Sequence, residues 1–258
     1  MYQFKYNAIL DVMLELDPSA TLGTTLYEEV KRQVLRALSA GEWKPGEVIP
    51  AEKKLCERFR VSIGTLRKAI DELVADNILV RHQGRGTFVA LHNREQQSFR
   101  FFNLVGHDGR KTHPTLQLVS FARKKVSRIA ADMLGLPGTS KVIAFTNLLR
   151  LDERPVVIDD IVLPEVLFSR MTEAQVRNRT NTLYHLYQAS FGLNVIRTEE
   201  RLRAASATEA QAQLLEIDPG APLLEVRRVA YSYNDQPIEW RISHVHTAGH
   251  EYLVPKNR

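Results

Sequence analysis

Cysteine is all but missing from this chain: its 258 residues hold a single one, Cys56. A lone thiol forms no internal disulfide, so a disulfide scaffold is excluded and a reducing, cytoplasmic setting is expected. No run of about 18 apolar residues occurs, and no membrane span or membrane partner is expected. The N-terminus has no basic segment leading into an apolar core and a small-residue cleavage site, so no secretory signal is read. Glycine (13) and proline (11) are modest in number and follow no collagen-like period. What remains, 44% hydrophobic and 25% charged, excludes wholesale disorder and suits one large domain or two smaller ones.

The net charge of +5 is unevenly placed: residues 24–128 carry +9 and the remainder −4. A basic block beside a slightly acidic one suggests a polyanion-binding module joined to something else, the alternative being a solvated basic surface.

Leu26, Val30, Val34, Ala37 and Leu38 recur at helical spacing and predict a first helix, ending near Gly41. Pro45-Gly46 is a turn, and Pro50-Ala51-Glu52 opens a second helix that buries Leu55, Cys56 and Phe59, with Cys56 as a small core residue. Ser62 is a good N-cap for a third helix burying Leu66, Ala69, Ile70, Leu73 and Val74, with Asn77 as its stop. Its other face presents Ile63, Gly64, Arg67, Lys68 and Asp71. Two β-favouring runs, from Ile78 and from Thr87, flank Gln83-Gly84-Arg85-Gly86 and predict a hairpin. Three helices and a hairpin in this order make a winged helix-turn-helix, whose third helix reaches base edges with its N-terminal end.

Gly41 to Pro50, Val61-Ser62-x-x-Thr65-Leu66-Arg67-x-Ala69 and Gly84-Arg85-Gly86-Thr87-Phe88-Val89, in order and at these spacings, resemble the DNA-binding domain of the GntR family of bacterial transcriptional regulators. The resemblance implies that Lys53 reaches a base or phosphate and that Ser62, Gly64 and Thr65 hold a phosphate oxygen. It implies that Arg67 reads a guanine, and it places Gln83, Gly84 and Arg85 at the wing tip. Lys68 shares the recognition face. The family commonly has Arg directly after the Ser; Ile63 stands there, able to pack on a thymine methyl or simply to cover apolar surface.

Residues 90–103 are polar and aperiodic and read as a linker. Beyond it the chain repeats itself. Ala131-x-x-Leu134-Gly135-Leu136-Pro137-Gly138 is echoed by Ala212-x-x-Leu215-Glu216-Ile217-Asp218-Pro219-Gly220. Each copy leads into an apolar strand, a polar turn and a second strand, which predicts one pseudo-symmetric sheet with helices on one face. Together with Leu163-Pro164, Thr182-Leu183-Tyr184 and Pro237-Ile238-Glu239, this half resembles the UTRA effector domain of the HutC subfamily of GntR regulators. The resemblance implies a chorismate-lyase-like α+β fold with an antiparallel sheet and a small molecule bound between the repeats. Arg150 is then the candidate anion clamp, Asp159 and Glu239 are acceptors, Thr182 and Tyr184 lie at the pocket, and His113-Pro114-Thr115 form a closing loop.

The expected organisation is an N-terminal extension (1–22), a winged helix-turn-helix (23–91), a linker (92–103) and an effector domain (104–258). Within the extension, Ile9, Leu10, Val12, Met13, Leu14 and Leu16 are expected to form an apolar patch on a short helix before Pro18 that packs on the dimer, the alternative being disorder. The expected function is a ligand-released repressor that binds palindromic double-stranded operator DNA as a homodimer. Its effector is a carboxylate or phosphorylated metabolite; members binding phosphosugars tend to carry Arg-x-Arg where Leu148-Leu149-Arg150 stands. No nucleophile–base constellation, phosphate loop or metal motif appears, so neither catalysis nor a cofactor is expected. His244-x-His246-x-x-x-His250 fits no familiar metal spacing and reads as polar surface or a ligand hydrogen bond, with zinc as the alternative. An architectural nucleic-acid binder without a sensor is the remaining alternative function.

Overall fold

The computed structural model describes residues 25–91 and 103–253, and the chain divides into two compact units, 1–90 and 91–258. The apolar extension 1–22 and all of the expected linker except Asn103 lie outside the described residues.

The first unit contains α1 (Leu26–Ser39), α2 (Glu52–Phe59) and α3 (Ile63–Ala75). The hairpin strands β1 (Leu79–His82) and β2 (Gly86–Val89) follow, pairing from Leu79↔Val89 to His82↔Gly86. The helices bury Val30 and Val34, Leu55 and Phe59, and Leu66, Ala69, Ile70 and Leu73 against one another. Each such aliphatic or aromatic side chain contributes about 1.5–3 kcal/mol by leaving water. The α2–α3 turn is tight because Arg60 adopts the left-handed region (φ 53°) and the Val61 N–H donates to the Cys56 carbonyl at 3.2 Å. Asn77, at φ 54°, ends the α3 segment. Two readings of burial are corrected. Cys56 and Val74 are half-buried, because each lies at the margin of its helix's apolar stripe rather than at its centre.

The second unit runs β3 (Leu104–Gly106), β4 (Thr115–Lys125), α4 (Arg128–Leu134), β5 (Lys141–Leu151) and β6 (Arg154–Pro164). It continues with α5 (Glu173–Arg177), α6 (Leu183–Phe191), β7 (Arg197–Ser206) and α7 (Glu209–Leu215). The strands β8 (Pro222–Tyr231), β9 (Pro237–Val245) and β10 (His250–Tyr252) complete it. Six strands form one antiparallel sheet in the order β4-β5-β6-β9-β8-β7, and β3 pairs with β10 in a separate ribbon. The sheet order is palindromic in the repeat. Strand–helix–strand–strand occurs twice, and the halves meet where β6 pairs with β9, from Val157↔Val245 to Val162↔Trp240.

The expectation of helices on one face is overturned. On β5, Val142 packs with Ala130, Ala131 and Leu134 of α4, and Leu148 packs with Ala212 and Leu215 of α7. Odd-numbered Ile143 and Phe145 pack instead with Leu183 and Tyr187 of α6. Side chains alternate across a strand, so α4 and α7 cover one face and α6 the other. No helix among the described residues is long and apolar enough to cross a membrane.

Candidate functional site

The first unit offers a polar surface at the start of α3. The Thr65 N–H donates to Ser62 Oγ at 3.2 Å, and the two hydroxyls lie 2.9 Å apart, which satisfies the helix start and fixes both side chains there. Ile63 is 45% exposed beside exposed Gly64. Arg67 Nε donates to Glu52 Oε2 at 2.8 Å, a bond that steers the guanidinium of α3 from α2. Lys68 Nζ sits 3.7 Å from the Tyr27 ring centroid, and Lys53 is exposed on α2. In the wing, Gln83, Gly84 and Arg85 are exposed, with Gly84 at φ 72° to close the turn. Arg81, by contrast, is held by Asp71.

The second unit holds a half-open cavity of about 400 Å³ at the seam between the repeats. Val157 and Asp159 of β6 and Arg241, Ser243 and Val245 of β9 form its floor; Leu104 and Tyr252 of the β3/β10 ribbon, Asn147 and Leu149 of β5 and the start of α6 complete much of the wall. His113, Pro114 and Thr115 line it too, as do Thr182, the N-cap of α6, and Tyr184. Thr182 Oγ1 accepts from the His185 N–H at 3.2 Å.

The polar groups are organised as one network. Arg241 donates to Asp159 Oδ2 at 2.9 Å and, through Nε and Nη2, to both oxygens of Glu239 at 3.0 Å each. Ser243 Oγ also bonds Asp159, and the Tyr184 and Tyr187 hydroxyls donate to Glu239 at 3.1 and 2.6 Å. Burial disfavours the Arg241 charge, but Glu239 and Asp159 outweigh it and hold the guanidinium pKa well above its ordinary value. Burial, reinforced by Glu239, raises the Tyr184 and Tyr187 pKa values, so both phenols remain donors. Arg228 pairs with Glu200 at 2.6 Å, and Glu200 accepts a second bond from the Tyr252 hydroxyl, also at 2.6 Å. Glu239 is thus wholly buried behind the wall, positioning Arg241 and Tyr184 rather than facing the cavity.

Arg150 is not brought to this site. The sheet's alternation turns Asn147 and Leu149 toward the cavity, and Arg150 bonds Glu216 Oε1 at 3.1 Å and the Glu153 carbonyl at 3.0 Å. The cations that do line the cavity, Arg179, Arg228 and Arg241, escaped the sequence reading. Period two was the available signal for Arg241, which shares a strand face with Glu239. Nothing local distinguished Arg179, which lies between α5 and α6. His244 faces Glu225, with Nε2 3.5 Å from Oε2. Among the described residues no group of His, Cys, Asp and Glu side chains is arranged to hold a metal ion. Asn103, expected as the end of a polar linker, is 5% exposed; its carbonyl accepts from the Leu253 N–H at 2.7 Å.

Known proteins match both units. Residues 26–89 match the bacterial regulatory proteins of the gntR family, and residues 109–250 match the UTRA domain. A "probable fructoselysine utilization operon transcriptional repressor" of Escherichia coli is 30% identical over 83% of this chain and 87% of its own. The histidine utilization repressor of Klebsiella aerogenes is 26% identical over 80% of this chain and 84% of its own. Among solved structures, the ligand-binding domain of a GntR-family regulator from Bordetella bronchiseptica is 31% identical. It covers 61% of this chain and 98% of its own, with a TM-score of 0.60. YydK of Bacillus subtilis shares the fold at 16% identity over 91% of this chain and 100% of its own, with a TM-score of 0.54. The chain belongs to the GntR family, with the UTRA domain of its HutC-type members, and is a transcriptional regulator rather than an enzyme.

Proposed function

We propose that this regulator represses transcription as a homodimer. Its two winged-helix units bind the halves of a palindromic operator, and a small metabolite in the UTRA cavity releases the DNA. The observation that carries this reading is the cavity itself, a half-open polar-and-apolar site in the unit that does not present the recognition helix. In this reading residues 23–91 bind DNA, 104–258 bind the effector, and the protein works in the cytoplasm. Arg67 reads a base through its planar fork, while Ile63 and Gly64 meet base edges. Ser62, Thr65, Lys53 and Lys68 hold phosphates, and Gln83, Gly84 and Arg85 bring the wing to the duplex. Thr115, Asp159, Thr182 and Tyr184 take the effector's polar groups, with Glu239 behind them.

One recognition helix reads a half-site, so specific binding needs two. An effector releases DNA only by preferring the conformation that cannot span both halves; a 100-fold release requires about 2.7 kcal/mol of such preference. Footprinting of the full chain on its own promoter region is expected to protect two inverted half-sites about one helical turn, or a multiple, apart. An asymmetric footprint at a stoichiometry of one chain per duplex overturns the dimer. DNA affinity unchanged by a ligand known to fill the cavity overturns the switch.

A further inference from the structure

We propose that the effector is a small organic monocarboxylate that also carries a hydroxyl, amino or ring N–H donor, with Arg179 gripping the carboxylate and Asn147 accepting from the donor. The proposal rests on the reading of the cavity as the effector site.

Arg241 is already neutralised by Asp159 and Glu239, and Arg228 by Glu200. Arg179 forms no ion pair among the described residues; its Nη1 donates to the Val176 carbonyl. Desolvation, aided by the Arg241 charge, lowers its pKa to about 10 against the pull of Tyr187, Asp159 and Glu239, and it stays charged at neutral pH. Asp159 and Glu239 together exceed the single charge of Arg241 and balance Arg179 only at a distance; among the described residues no acid touches its guanidinium, and a bound carboxylate supplies that direct pair. Arg offers a fork that matches a carboxylate.

Asn147 is 1% exposed, and its Oδ1 has no hydrogen-bond partner. Asn147 lines the cavity, so a ligand that enters it can bring the missing donor. Between these groups the wall is apolar, with Leu149, Val157, Val226 and Val245, which suits a hydrocarbon or ring body. A phosphate monoester is disfavoured. It carries about −1.5 to −2 charges at neutral pH and meets one guanidinium without a direct ion pair, in a site where three arginines already face three acids. The strand position expected to add a second cation, Arg150, faces away.

The test uses the full-length protein and its Arg179→Met and Asn147→Leu variants. Thermal unfolding is followed with para-hydroxyphenylacetate and gamma-hydroxybutyrate, their primary amides, and para-hydroxyphenyl phosphate. At millimolar concentration at least one acid is expected to raise the wild-type Tm by ~2 °C or more, and the amides and the phosphate by less. Arg179→Met abolishes the shift and Asn147→Leu reduces it. Without ligand both variants melt near the wild-type temperature, since Arg179→Met gives up one bond to the Val176 carbonyl but removes a buried charge without an ion pair, and Asn147→Leu removes an acceptor without a donor. The proposal falls if no acid moves the wild-type Tm, if the amide or phosphate is equally effective, if the shift survives in Arg179→Met, or if both ligand-free variants melt well below the wild type. Operator binding is measured separately. An acid that binds through Arg179 without weakening DNA binding removes the regulatory reading and leaves this one standing.

Discussion

Gly64 has no purpose inside its own unit. A Cβ there would meet only Ser62 Oγ, at 3.9 Å, and its backbone lies outside the left-handed region. Alanine is the better helix former by up to ~1 kcal/mol. The need for glycine therefore points outward, to a duplex approaching the start of α3. Gly64→Ala is expected to raise the unfolding free energy by a few tenths to ~1 kcal/mol while weakening operator binding by ~10-fold or more. Arg67→Ala is its complement. The side chain is 60% exposed and its pair with Glu52 is a surface pair, so the stability change stays within ~1 kcal/mol. Operator affinity falls by ~1–3 kcal/mol and one base position is relaxed. Equal losses on operator and scrambled duplex contradict base reading by Arg67. The cavity was less legible at this scale. Arg150 is conspicuous in sequence, but the phase of alternation decides which residues of β5 face inward, and that phase belongs to Asn147 and Leu149.

At the scale of elements, α3 is written by its ends. Ser62 caps it and Asn77 follows its last turn, so the sequence delimited the helix closely. The cap and the proposed phosphate contact fall on one side chain, and they separate by charge. Ser62→Ala removes the cap and is expected to cost ~1 kcal/mol in urea unfolding. Ser62→Asp keeps a capping oxygen and complements the helix dipole, so stability is retained. Its negative charge then repels a phosphate, and DNA affinity drops. Wild-type DNA affinity in Ser62→Asp excludes a phosphate at this position. The second unit yielded its elements less evenly. The Ala-x-x-Leu repeat exposed α4, α7 and the strands after them. The outer strands β4 and β7 close the repeat but were not read, because β7 has no fully buried residue and its Glu- and Arg-rich sequence shows no apolar alternation. The start of α6 is legible at Thr182-Leu183-Tyr184, but the sheet face it covers is not. A strand buried on both sides, like Val142-Ile143-Ala144-Phe145, reads as one apolar run and does not say what covers each side.

Across the whole molecule the two units divide the electrostatic work. Of the +9 over residues 24–128, +3 lies in residues 24–91 and +6 in residues 92–128, so the attraction of the winged-helix unit for DNA comes from its few exposed cations rather than from a large net charge, while in the second unit Asp159 and Glu239 are spent on Arg241 and Glu200 on Arg228. DNA affinity should therefore depend steeply on salt and trace to few residues. Each phosphate neutralised steepens the slope of log affinity against log salt by about 0.9. Lys53 is exposed and has no ion pair among the described residues, so its charge is available to a phosphate. Lys53→Gln in a dimer removes two such contacts and is expected to flatten the slope by about 2, on operator and scrambled duplex alike. Arg150→Gln removes the same formal charge from a side chain held by Glu216 in the second unit and is expected to leave the slope unchanged. Anisotropy titrations at several salt concentrations separate the cases. A change of about 1 for Lys53→Gln means that one chain engages DNA at a time, and equal changes for the two variants mean that net charge, rather than the winged-helix surface, governs binding.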